Sequence, residues 1–239
     1  MTVRLVFLVV TLFSLFSVWS QELTAAQLLD KSIAFHDPNN QWSTFEGDFT
    51  VEMTTPNASK RVSHIKINLP LEYFSVSAKR DSVNTYYEIN KGQCKMLYNG
   101  KSIDSINDKG MSCDRAVLYK NYYTYLYGLP MKLKDPGTVL DKEVEKRTFK
   151  NRDYLVLKVS YDASTGSDIW FFYFNPSTYA MEVYQFFKTD DSGRMILDSG
   201  EYILLSEIFV VNGIKMPQTR AWYYNKDNKH LGTDTLIEN

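Results

Sequence analysis

The stretch 118–137, LYKNYYTYLYGLPMKLKDPG, constrains this chain more than any other. Its first half carries Tyr119, Tyr122, Tyr123, Tyr125 and Tyr127. Leu118, Tyr122 and Tyr125 recur at i, i+4 and i+7, the spacing of one helix face, and Tyr119, Tyr123 and Tyr127 fall on an adjoining face. Gly128 stands where a helix terminus accepts a left-handed residue, and Pro130 prevents continuation. The spacing predicts a helix over 114–127. Almost everything else beyond residue 40 reads as strand, and a lone aromatic helix among strands needs a sheet to lie on. The expected fold class is mainly β (α+β). It is a curved antiparallel sheet of about eleven strands forming an open half-barrel, with an N-terminal helix and the Tyr-rich helix on its concave face.

The N-terminal helix is signalled by Thr24 and Gln27, whose spacing suits a capping box, and by the apolar stripe Ala25, Leu28, Leu29 and Ile33. Asp37-Pro38 ends it. His36 beside Asp37 is read as a protonated histidine facing the helix dipole rather than as a general base with an orienting acid. Strands are expected over 42–54, 62–69, 71–78, 85–89, 94–98, 139–147, 154–161, 169–174, 180–188, 202–211 and 214–224, with a short last one over 232–237. Lys91-Gly92, Asn99-Gly100 and Asn212-Gly213 are the hairpin turns. The strands over 169–224 are apolar on both faces, more than one sheet with one helix easily covers. Either the half-barrel keeps a hollow apolar interior, or an exposed patch binds something, or the core is simply larger and filled.

Residues 1–20 have the form of a cleaved secretory signal: Arg4, an apolar run too short for a comfortable membrane span, and Ser20 at the cleavage point. Residues 21–239 then form one exported domain in the periplasm or outside the cell. Export changes the reading of Cys94 and Cys113, the only two cysteines. In an oxidising compartment they are expected to form a disulfide closing a loop of ~20 residues, worth roughly 3 kcal/mol. Two free cysteines are the alternative. The formal net charge is −1, so nothing electrostatic favours nucleic acid as a partner.

No nucleophile elbow, zinc-protease helix, phosphate loop or dinucleotide fingerprint occurs. The three histidines, His36, His64 and His230, are far apart, and no metal or cofactor is expected. Carboxylates are plentiful, but those such as Glu46, Glu52 and Glu182 alternate with apolar residues as solvent-facing strand positions do. A hydrolase built on a carboxylate pair is the weakest of three readings.

The segments LLDKSIAFHDP (28–38), YYTYLYGLPMKLKDPG (122–137), YAMEVYQF (179–186), GIKMP (213–217), WYYN (222–225) and LGTDT (231–235) resemble a family of secreted Bacteroidota proteins defined by a domain of unknown function. That family in turn is similar in architecture to the periplasmic lipoprotein carriers LolA, LolB and LppX. The resemblance implies an incomplete β-barrel whose helices plug a hollow that carries acyl chains, and so a link to outer-membrane lipoprotein sorting. The leading expectation is a non-catalytic, monomeric carrier of a lipid, an acyl chain or another hydrophobic molecule, with an envelope lipoprotein or membrane protein as a further partner. Its ligand-lining residues are expected to be Tyr122, Tyr123, Trp170, Phe172, Tyr184, Phe186 and Trp222. The rival is an envelope interaction module with a filled core.

Overall fold

The computed structural model describes residues 23–104, 109–162 and 165–238; the expected signal segment lies outside them. Helix α1 is Ala25–His36 and α2 is Cys113–Gly128. The strands are β1 Glu46–Thr55, β2 Ala58–Asn68, β3 Tyr73–Arg80, β4 Val83–Asn90, β5 Gln93–Tyr98, β6 Lys101–Ser102, β7 Thr138–Leu140, β8 Glu145–Phe149, β9 Arg152–Tyr161, β10 Ile169–Phe174, β11 Met181–Phe187, β12 Glu201–Val211, β13 Ile214–Tyr224 and β14 His230–Ile237.

All fourteen described strands belong to one antiparallel sheet, thirteen of them in the order β6-β5-β4-β3-β2-β1-β14-β13-β12-β11-β10-β9-β7, with β8 paired to β9 beside β7. Two meanders, β1 to β6 and β9 to β14, run outward from a central seam where the first strand pairs with the last, Thr50 opposite Ile237 and Thr54 opposite Thr233. The sheet is curved and does not close into a barrel. Its tight hairpins follow from Asn99-Gly100 and Asn212-Gly213, where both residues of each pair have positive φ, the geometry that matches strand twist.

Three expectations about the elements need correction. Residues 42–44 form a 3₁₀ turn, and the first strand starts only at Glu46. The single strand expected over 139–147 is two. β7 and β8 pair with successive parts of the same edge of β9, Leu140 opposite Val159 and Glu145 opposite Val156. Gly128 is the last residue of α2 and is not left-handed. It is glycine because a Cβ there would lie 2.2 Å from the Trp42 indole.

The core sits between the inner face of the sheet and both helices. Phe49, Val51, Ile65, Ile67, Phe74, Phe172, Phe174, Tyr184 and Ile203 contribute from the strands. Leu28 and Leu29 come from α1, and Ala116, Tyr123, Leu126 and Tyr127 from α2. The outward apolar residues of β10 and β11 are neither exposed nor part of a hollow, whereas Ile208 and Val210 of β12 are exposed. Tyr154, Val156, Phe171, Tyr173, Val183 and Phe187 make a second cluster there. Phe149 of β8 closes over it, its ring 5.3 Å from those of Tyr173 and Tyr202, and the Arg147 guanidinium lies 4.1 Å from the Phe171 ring centre.

The capping box of α1 is formed, with Thr24 Oγ1 accepting from Gln27 N–H and Gln27 Oε1 from Thr24 N–H. The other end is fixed by His36, which is fully buried. Its Nδ1 lies 2.7 Å from Lys215 O, and its Nε2 accepts from Met181 N–H at 3.0 Å. One nitrogen donates and the other accepts, so the imidazole is neutral, not the protonated dipole partner expected. Burial pushes its pKa down to about 4. On acidification the unfolded chain therefore takes up this proton first. The stability that His36 contributes is present above pH ~6.5 and drains as the pH falls towards 4, on the order of 3 kcal/mol in all. Urea unfolding at pH 7 and pH 4.5 should show a smaller pH dependence in His36→Gln than in the wild type; equal slopes would contradict this assignment. Gly128→Ala should cost about 1–3 kcal/mol in the same assay by forcing the Trp42 indole aside.

Candidate functional site: the clefts flanking the tyrosine helix

Helix α2 is held at its start by two devices. Ser112 Oγ accepts from Arg115 N–H at 3.1 Å, and Cys113 is disulfide-bonded to Cys94 of β5, with the two Cα atoms 5.8 Å apart. The expected bridge is formed, and it ties the helix to the β4–β5 side of the sheet. From there α2 crosses the inner face. Tyr119 meets Tyr87, Tyr123 meets Phe74 and Tyr127 meets Phe49. On the opposite half of the sheet, Tyr122 meets Trp222 and Tyr125 meets Trp170.

The buried face of α2 is the adjoining one, Ala116, Tyr123, Leu126 and Tyr127, and not the Leu118–Tyr122–Tyr125 row. Leu118 is 63% exposed and Tyr122 39%. The middle of the concave face is therefore filled, and space remains on both flanks. A cleft of about 630 Å³ opens between α2, the turn after it and strands β9 and β10. Tyr125, Tyr161, Trp170, Leu69 and Pro136 give its apolar walls, and Lys120, Lys132, Asp135 and Asp168 its polar ones. The phenols of Tyr125 and Tyr161 hydrogen-bond to each other there, and burial pushes Tyr161 up to about 12.

On the other flank, Tyr122 overhangs a cleft of about 320 Å³ floored by Met53, Glu201, Trp222, Gly232 and Asp234. A third hollow, of about 140 Å³, lies between Tyr119 and Tyr123 of α2 and strands β2 to β4. A fourth, of about 570 Å³, lies away from α2. It has mostly charged and amide walls, among them Asp48, Lys66, Asn68, Asn90 and Asn212.

The seven residues expected to line a ligand site are joined by ring contacts into one chain. Tyr123 meets Tyr122 at 5.3 Å, Tyr122 stacks on Trp222 at 6.4 Å and Trp222 meets Tyr184 at 6.2 Å. Tyr184 meets Trp170 at 6.2 Å, and Trp170 stacks on Phe172 and Phe186 at 5.9 and 4.8 Å. They differ in access. Trp170 lines the 630 Å³ cleft, Tyr122 and Trp222 the 320 Å³ cleft and Tyr123 the smallest hollow. Phe172 and Tyr184 are fully buried beneath them, and Phe186 is half-buried against Trp170.

The sequence reading missed a polar set inside this aromatic layer. Arg220 is 1% exposed. Its guanidinium lies 3.9 Å from the Tyr127 ring centre and donates to Pro217 O and Leu126 O, the latter on α2. Asp234, opposite Arg220 in the β13–β14 register, is 7% exposed. Burial pushes its carboxyl up, against the pull of Arg220 and Arg61. The sequence did carry a signal: Arg220 occupies an inward position in the alternation Ile214, Met216, Arg220, Trp222, where a solvent-facing residue is out of phase. The histidines do not converge. His36 pins α1, His64 meets Thr50 at 2.7 Å, and His230 meets Thr233 at 3.0 Å. Among the described residues no group of three or more His, Cys, Asp or Glu could hold a metal ion, and no helix is long and apolar enough to cross a membrane.

The fold is shared with a LolA superfamily protein from Nitrosomonas europaea, which superposes with a TM-score of 0.52 at 11% identity over 90% of this chain and 92% of that one. A DUF1329 family protein from Desulfovibrio piger aligns over 89% of this chain and 91% of its own, at 7% identity and a TM-score of 0.47. No curated protein matches the sequence. The family of unknown function DUF6503 matches residues 3–239. The chain therefore belongs to DUF6503, on an open, curved antiparallel sheet of LolA-like architecture.

Proposed function

We propose that the protein is an exported, monomeric, non-catalytic carrier of a hydrophobic molecule such as a lipid or a lipoprotein acyl chain. The observation that carries this reading is the 630 Å³ cleft beside α2, with the half-buried Trp170 in its wall and the continuous aromatic chain behind it. Its volume is that of a small-molecule site, and its polar rim around apolar walls is the usual make-up of one. An acyl chain laid against these rings gains ~0.8 kcal/mol per CH₂ removed from water, so no covalent chemistry is needed to hold it. The LolA-like fold agrees with the acyl cargo that the sequence resemblance implies, and the Cys94–Cys113 disulfide agrees with an oxidising compartment outside the cytoplasm.

The rival reading, an interaction module, is favoured by one feature. The centre of the concave face is filled, and Val117 and Leu118 stand exposed on the outer side of α2. Two substitutions separate the readings. Trp170→Ala should cut uptake of a fluorescent fatty acid about tenfold or more with a modest loss of stability. Phe172→Ala, which empties the packed layer below, should cost about 3–5 kcal/mol. If Trp170→Ala binds the probe as the wild type does, or the wild type binds none, the carrier reading fails and the exposed face of α2 becomes the place to look for a partner.

A further inference from the structure

We propose that Arg61 and Arg80 form an oxyanion-binding site, and that the carried molecule presents a phosphate or carboxylate headgroup to it. The assignment of a tail to that headgroup rests on the carrier reading; the site itself rests on its own geometry. Arg61 of β2 and Arg80 of β3 stand directly opposite each other in the strand register. Both belong to the inward alternation of their strands, with Ser63 and Ile65 on one side and Phe74 and Val76 on the other. Like charges directly opposite destabilise a strand pair. Here the two guanidiniums are also half-buried, and the Nε of each is buried without a hydrogen-bond partner.

Among the described residues neither arginine has an ion-pair partner. The nearby Glu52 pairs with Lys60, and Asp81 accepts from Ser59 Oγ. Arg61 Nη2 reaches only Tyr123 Oη, at 3.5 Å. Asp234 feels Arg61 but feels Arg220 more strongly. A third guanidinium, on the exposed Arg115 of α2, lies close enough to act on the Tyr87 phenol.

Arg61 and Arg80 both line the hollow of about 140 Å³ under α2. Its remaining walls are Tyr87, Tyr119, Tyr123, Thr85 and small apolar residues, and no carboxylate is among them. Two guanidiniums without an ion-pair partner, with a phenol beside them over a small aromatic-walled space, make a cationic donor set that lacks an anion. Guanidinium forks match carboxylate and phosphate oxygens two at a time. The hollow is large enough for one such group. Tyr123 in its wall touches Tyr122, which overhangs the neighbouring 320 Å³ cleft, the nearest space beyond the hollow for a tail.

The test compares probes that share one chain: dodecyl phosphate, dodecanoate and dodecanol, with inorganic phosphate alone as a fourth. Each is titrated against the folded, disulfide-bonded chain 21–239 by calorimetry, for the wild type, Arg61→Gln/Arg80→Gln and Arg61→Lys/Arg80→Lys. The anionic amphiphiles should bind about tenfold or more tighter than dodecanol. That preference should vanish in the glutamine pair and return in part in the lysine pair. The glutamine pair relieves a like-charge contact, so its melting temperature should equal or exceed that of the wild type. Inorganic phosphate binding alone, lost in the glutamine pair, would support the site with a free oxyanion as its occupant. Anionic amphiphiles binding where inorganic phosphate does not would support it with a lipid headgroup. Equal affinity for dodecanol and the anions overturns the oxyanion site and leaves the carrier standing. Inorganic phosphate binding without any uptake of the alkyl probes keeps the site and removes the carrier. Failure of the glutamine pair to fold, with wild-type affinities indifferent to headgroup charge, also overturns the site.

Discussion

An antiparallel sheet that curves without closing leaves an apolar inner face that something must cover, and the rest of this structure depends on how α2 does so. Leucines alone would have too short a reach. Tyr123 and Tyr127 extend to Phe74 and Phe49 on one half of the sheet, while Tyr122 and Tyr125 extend to Trp222 and Trp170 on the other. Rings of this length span a wide trough with few rotatable bonds. The helix is fixed at one end by the Cys94–Cys113 bond and at the other by the close approach of Gly128 to Trp42. A plug held at both ends, and not filling the trough from wall to wall, leaves clefts along its flanks.

Tyrosine also brings hydroxyls into the core, and these need management. Tyr125 and Tyr161 satisfy each other. Tyr127 and Tyr184 bury hydroxyls without a hydrogen-bond partner, near the Arg220 guanidinium and the Asp234 carboxyl. A buried polar layer of this kind is costly as a purely structural device. It is more easily understood where the interior is part of a binding surface, and the unpaired arginines on the same face point the same way.

Local patterns made much of this legible. The tyrosine helix is expected over 114–127 and runs over Cys113–Gly128; β10 and β13 have the expected bounds, because Asn175-Pro176 closes the first and Asn212-Gly213 opens the second. The gathering of Trp170, Phe172, Tyr184, Phe186 and Trp222 was visible as two-sided apolar strands. What was not legible depends on partners distant in sequence. The role of Gly128 lies in an indole 86 positions earlier. The outer cluster needs β8 to fold over β10. The buried face of α2 is chosen by the sheet below it, since tyrosines occur on several faces of the helix. The opposition of Arg61 and Arg80 is a matter of register, fixed by the turn between β2 and β3.

The proposed hydrophobic cargo lies in the space beside α2. Native mass spectrometry of the protein, purified without detergent from the cells that make it, would detect such a cargo. A carrier should show a discrete additional mass that is lost on denaturation and extracted by organic solvent. A bare polypeptide mass, with no uptake of added fatty acids or acylated lipoprotein, would contradict it.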